Sequence, residues 1–228
     1  MSDALDLGVP GIAAALGDHI CGLYSTLLQR DQILLPFLEA GLAAGDKCIC
    51  VVDGSDPKEV LAALDSRVPA AKMAADKQLD VIRARDMYLR SGGFSADEVI
   101  STWKAAMSDV MYDGRFDAVR AVEAWSRRDV VPDMDELMVL ENEMNRFLPL
   151  FPQVVVCLYD IDRFGGGIVV NLLKTHPRML IGGMLVENPY CISPDEFLHR
   201  AERGSSETAD AEITEAAKWY FDETTGSN

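Results

Sequence analysis

The chain has 228 residues, 49 % of them hydrophobic, and carries a formal charge of −16 from 37 acidic and 21 basic residues. That length suits one large domain with a substantial core. The acidic balance argues against nucleic acid or an anionic membrane as a direct partner, because either needs a clustered basic surface.

No apolar run reaches transmembrane length, and the first residues lack the charged and apolar regions of a signal peptide, so a cytoplasmic location is expected. Five cysteines (Cys21, Cys48, Cys50, Cys157, Cys191) are odd in number, and four fall in strand-like runs. Reduced, buried thiols are the expectation.

Residues 1–17 are small and apolar and read as a flexible leader. His19-Ile20-Cys21-Gly22-Leu23-Tyr24 is a short apolar run suited to a buried strand, with His19 and Cys21 on one face. A helical pattern follows from Asp31 to Ala44; Pro36 is tolerated if it lies in the first turn. Lys47 to Val52 is a second buried strand. Asp56 is placed to cap a helix with Pro57 at its first position. Leu79 to Ala84 reads as a third strand, and Ser95 with Glu98 as a capping box on a helix through Met111.

Ala118 to Trp125 is the fourth strand, Asp133 opens a helix through Phe147, and Val154 to Tyr159 is the most apolar strand. Gly165-Gly166-Gly167 leads into a helix over 168–173. Met179 to Val186 reads as one strand interrupted by Gly182-Gly183, and Phe197 to Arg203 as a short helix. Strands alternating with helices predict an α/β fold with a mainly parallel central sheet flanked by helices. The domain is expected over 18–204, followed by an acidic tail over 205–228 with a helix near 208–221.

The loop after the first strand, Ser25-Thr26-Leu27-Leu28-Gln29-Arg30, has neither the glycines nor the lysine of a phosphate-cradling loop, which argues against ATP hydrolysis. Cys48-x-Cys50 reads as two core thiols. Glu123 is costly at an apolar strand end unless it has a partner or ligand. Asp53 and Asp160 also close strands, where turn-capping is the simpler role. Tyr24, Tyr88, Trp125, Tyr159 and Tyr190 fall near strand ends and suit the walls of a small organic ligand's pocket. A His19/Cys21/His176 metal cluster can be drawn but lacks a fourth ligand.

The series His19-Ile20-Cys21-x-x-Tyr24, Gly41-Leu42-x-x-Gly45-x-x-Cys48, Tyr88-Leu89-x-x-Gly92-x-Phe94 and Cys157-x-Tyr159-Asp160 resembles the methanogen/methylotroph sensory domain (MEDS) family. Thr175-His176-Pro177 and Asn188-Pro189-Tyr190 extend the likeness, which runs from about Gly17 to Arg203. The resemblance implies a RecA-like three-layer sandwich without its ATPase loop, sensing small molecules that include hydrocarbon derivatives. It also implies a signalling partner, a histidine kinase or a transcription regulator. No segment outside 17–203 is long enough for an output module, so output through a separate protein is expected.

These readings converge on a non-catalytic sensor with no assigned cofactor, in monomeric or homo-oligomeric form. Its ligand site is expected at the C-terminal strand edge, built from His19, Cys21, Tyr24, Glu123, Trp125, Tyr159, Asp160 and His176. Two other classes stay open. One is a metal- or redox-responsive protein or enzyme using His19, Cys21 and His176. The other is an interaction scaffold with no pocket.

Overall fold

The computed structural model describes residues 5–9 and 11–197. In chain order the elements are β1 (Leu5–Asp6), β2 (Ala13–Ala14), β3 (His19–Tyr24), α1 (Leu27–Ala44), β4 (Lys47–Val52), α2 (Pro57–Asp65), α3 (Ala70–Ala75) and β5 (Leu79–Arg83). They continue as α4 (Ala84–Tyr88), α5 (Ala96–Asp113), β6 (Val119–Trp125), α6 (Met134–Phe147), β7 (Gln153–Asp160), α7 (Ile161–Phe164), α8 (Gly167–Thr175), β8 (Arg178–Ile181) and β9 (Met184–Glu187).

Seven strands form one sheet in the order β5-β4-β6-β7-β3-β8-β9, parallel throughout except for the β8–β9 pair. Every residue of β4, β6 and β7 is buried, the signature of strands covered on both faces. One face packs under α4, α5, α6 and α8; the other packs under α1, α2 and α3. The expected α/β sandwich is therefore present.

Several local expectations change. Within the described part of the leader, β1 pairs with β2, and Leu7, Ile12 and Ala14 are buried in the α1-side core. Gly8, at φ +75°, lies so close to α1 that a Cβ would sit 2.0 Å from the Pro36 carbonyl oxygen. Helix α1 begins earlier than the proline suggested, because Thr26 and Gln29 form a reciprocal capping box. Pro36 is thus interior. At α5 the reverse holds: Ser95 makes no side-chain cap, and Glu98 instead accepts from the Ser91 hydroxyl at 2.5 Å. The interrupted strand at 179–186 is a hairpin, since Gly182 and Gly183 take φ +54° and +78°, as a two-residue turn between right-twisted strands requires. The helices expected at 197–203 and 208–221 lie essentially outside the described residues.

Candidate functional site

Register places the chemistry. Across the centre of the sheet, Cys21 of β3, Cys157 of β7 and Glu123 of β6 are level with one another. Alternation then puts His19, Trp125 and Tyr159 on the same face, two residues away along their strands. Helix α6 crosses above them, and its buried stripe, Leu137, Leu140, Met144 and Phe147, includes Glu141. A carboxylate in that stripe is pressed onto the sheet. His176 arrives from α8, where it is the C-cap residue, extended at φ −110° and ψ 118° before Pro177.

These residues meet. The Nε2 atoms of His19 and His176 lie 3.1 and 3.2 Å from Glu141 Oε2, and the two rings stand 4.1 Å apart. Cys157 Sγ is 3.4 Å from His19 Nε2. The Tyr159 hydroxyl donates to Glu141 Oε1. One strand away, the Tyr88 hydroxyl donates to Glu123 Oε2 at 2.7 Å. Trp125 lies between the two tyrosines, with ring planes 6° from parallel to each and centroids 4.7 Å from Tyr88 and 6.3 Å from Tyr159. Glu123 Oε1, Glu141 Oε2 and the Trp125 indole nitrogen are fully buried, and Glu141 Oε2 has the two imidazole nitrogens beside it.

Burial governs the protonation of this layer. Burial, helped by the Glu141 charge, pushes the Glu123 carboxyl up to about 7, although Tyr88 donates to it. Burial also acts to raise Glu141, but the His176 and His19 imidazoles more than reverse this and hold it below the usual carboxylate range. His176 is shifted down, by burial first and then by His19. Burial and then Glu141 push the Cys21 and Cys157 thiols well up, so neither is an activated thiolate at neutral pH.

Six of the eight expected site residues therefore share one buried face: His19, Cys21, Glu123, Trp125, Tyr159 and His176. Tyr24 and Asp160 belong to the opposite side. The Tyr24 ring packs in the α1-side core while its hydroxyl donates to the Trp125 carbonyl; Asp160 caps α7. The cluster is not at the C-terminal strand edge, because His19 opens its strand and α6 roofs the middle of the sheet. Sequence reasoning missed Glu141, and it read Cys157 only as a core thiol. An acid four residues after Leu137 and three before Met144, inside an apolar stripe, was the available signal.

The only separation between β3 and α1 is Ser25-Thr26. Its N–H groups, and that of Gln29, are already bound by the Gln29 and Thr26 side chains. Those are the groups a phosphate would need at this helix N-terminus.

A profile of the MEthanogen/methylotroph, DcmR Sensory domain (MEDS) matches residues 18–177. The chain belongs to the MEDS family. The MEDS match covers β3 through α8, and so the whole His19–Glu141–His176 layer. This MEDS chain is also similar to the transcriptional repressor DcmR of Methylorubrum extorquens (strain DSM 6343 / CIP 106787 / DM4), at 26 % identity over 187 residues. That alignment takes in 77 % of this chain and 64 % of the repressor. Among the described residues, no helix is long and apolar enough to cross a membrane.

Proposed function

We propose that this MEDS domain is a non-catalytic sensor that binds a small, largely apolar organic molecule and reports it to a transcriptional regulator. The observation that carries the reading is a cavity of about 300 Å³ between α8 and the β8–β9 hairpin. Its walls are Leu23, Val169, Leu173, Met179, Ile181 and Val186, and the turn Asn188-Pro189-Tyr190 closes it. Apolar walls with few polar groups favour a hydrocarbon-like ligand. A groove of about 410 Å³ beside α4 and α5 mixes Met87, Tyr88 and Val99 with Arg90, Ser91, Asp97 and Glu98, a poorer match to such a molecule.

The cavity has a route to the buried layer. Asn188 Nδ2 donates to the His176 and Leu173 carbonyls at 2.6 and 2.7 Å, so the closing turn is tied to the histidine's own backbone. A ligand that repositions this turn shifts His176 against Glu141. Similarity to a repressor supports transcriptional output, through a partner protein rather than through this acidic chain's own contact with DNA.

The test is methyl NMR on the full chain during titration with 1-hexanol and benzene. Saturable shifts at Val169, Leu173 and Val186, abolished in Val169→Trp, are expected. Shifts that map to α4 and α5, or that survive Val169→Trp unchanged, would overturn the assignment of the cavity.

A further inference from the structure

The layer described above contains an arrangement that the lining of the apolar cavity does not include. One ligand atom from each of His19, His176, Glu141 and Cys157 lies within 4.8 Å of the others, and all four residues are buried. We propose that this MEDS domain holds a divalent transition-metal ion at these four atoms.

The hydrogen bonds behind the ligand atoms support it. His176 Nδ1 lies 3.1 Å from the Leu172 carbonyl, which only accepts, and 3.1 Å from the Thr175 hydroxyl, itself 3.2 Å from the Asn171 carbonyl, an arrangement that favours the ring proton on Nδ1. Asn145 commits its amide nitrogen to the Thr175 carbonyl at 2.5 Å, which turns its oxygen to His19 Nδ1 at 2.9 Å. In the neutral form that binds a metal, each imidazole turns a bare Nε2 lone pair to the same point. Glu141 Oε1 is taken by the Tyr159 hydroxyl, and Oε2 faces the two imidazole Nε2 atoms. Two imidazole lone pairs and a carboxylate lone pair at 3.1–3.2 Å repel one another unless a positive centre joins them. Outer partners that fix the tautomer and aim Nε2 are the usual support of metal-binding histidines.

Spacing and donor type agree. Bonds of about 2.0–2.3 Å in a tetrahedron put neighbouring ligand atoms roughly 3.3–3.6 Å apart. Three of the six separations, 3.1, 3.2 and 3.4 Å, are within a small relaxation of that, and the other three lie within 4.8 Å. Two nitrogens, one oxygen and one sulfur suit Zn²⁺ and its neighbours and disfavour Mg²⁺ or Ca²⁺. Four protein ligands leave no open position, so the centre is structural or sensory rather than hydrolytic. Binding releases the Cys157 thiol proton to solvent, and the metal does not change oxidation state.

The test uses the full chain. Metal content is measured on purified protein, which is then refolded from chelator with Zn²⁺ or Co²⁺. One ion per chain is expected, with a higher melting temperature than the chelated protein. The Co²⁺ form should show tetrahedral visible bands and a thiolate-to-cobalt charge-transfer band. Cys157→Ser should abolish that band, while Cys21→Ser, one strand away at the same level, should keep it. If Cys157→Ser fails to fold, X-ray absorption on the wild-type Zn²⁺ form decides, with one sulfur and three lighter scatterers expected. No more than trace metal after refolding, a charge-transfer band that survives Cys157→Ser, or a sulfur-free shell would overturn the proposal. In the first case a proton on an imidazole, not a metal, holds the cluster together; in the other two a metal is bound without Cys157.

Discussion

The Asn145 side-chain oxygen accepts from His19 Nδ1 at 2.9 Å, one helical turn beyond Glu141, which lies against the same ring's Nε2. Residues four apart on α6 thus grip both nitrogens of one histidine. Asn145→Ala removes the outer grip and frees the ring to turn. Metal affinity, read by competition with a chromophoric chelator, should fall about 10–100-fold. The cost in unfolding free energy should be about 1–3 kcal/mol, for a buried N–H left without a partner. Unchanged affinity would remove Asn145 from any positioning role.

Glu123 gives the fold a pH dependence of known sign. Its carboxyl lies near 7 in the folded chain against an ordinary 4.5, so between those values the native state holds the extra proton. Stability from this group is therefore lost as pH rises through the window, by roughly 3 kcal/mol once the carboxylate is fully ionised. Glu141, Tyr88, His19 and Trp125 are the groups whose charge or hydrogen bond acts on it. Glu123→Gln keeps an acceptor for Tyr88 and removes the titration. With chelator present, variant and wild type should melt alike near pH 4.5, and the variant should gain steadily towards pH 8. Parallel curves across that range would place the Glu123 carboxylate in a solvated site.

Thiol reactivity separates the sensor from the redox protein. Burial pushes Cys48 and Cys50 up to about 12, and Cys21 and Cys157 well up as well. Half-buried Cys191, at about 11, leaves about one thiolate in a thousand at pH 8. Alkylation of native protein at pH 8 should be slow, with Cys191 modified first and the other four only on unfolding. Rapid labelling of Cys21 would restore a redox role for the His19–Cys21 pair.

The leader belongs to the fold. Arg120, buried in β6, pairs with Asp46 at 2.6 Å and donates to the Asp6 carbonyl, so the leader's backbone satisfies a core guanidinium. Gly8→Ala puts a Cβ into the Pro36 carbonyl and strains a left-handed residue. A loss of about 2–3 kcal/mol is expected in denaturant melts. Protease cleavage within residues 5–14 should accelerate with it. A neutral substitution would mean that the segment does not dock on α1.

Much of the layer was legible strand by strand. His19, Glu123, Trp125 and Tyr159 stood out because polar or aromatic groups in apolar strands need partners, and period-two alternation assigned their faces. Glu141 was harder to pick out, because α6 also carries Asp135, Glu136 and Glu143, and only its place in the apolar stripe sets it apart. Cys157 rather than Cys21 joins the histidines because β7 lies beside β3 in parallel register and α6 brings Glu141 over it. Sequence spacing favoured the pair two residues apart on one strand, but such neighbours stand about 6.6 Å apart along the strand axis.

By itself the sequence determined the alternation of fully buried strands with helices, hence a two-sided parallel sheet, because each strand's unbroken apolar run has to be covered on both faces. The missing phosphate loop was equally explicit, being a matter of which residues stand between the first strand and its helix. Only the tertiary structure decided where four ligand atoms and an apolar cavity lie. Those depend on strand order, register and the roll of α6 and α8, which are set by packing between segments more than 100 residues apart, such as His19 and Cys157 with |i−j| = 138. No local pattern carries that information.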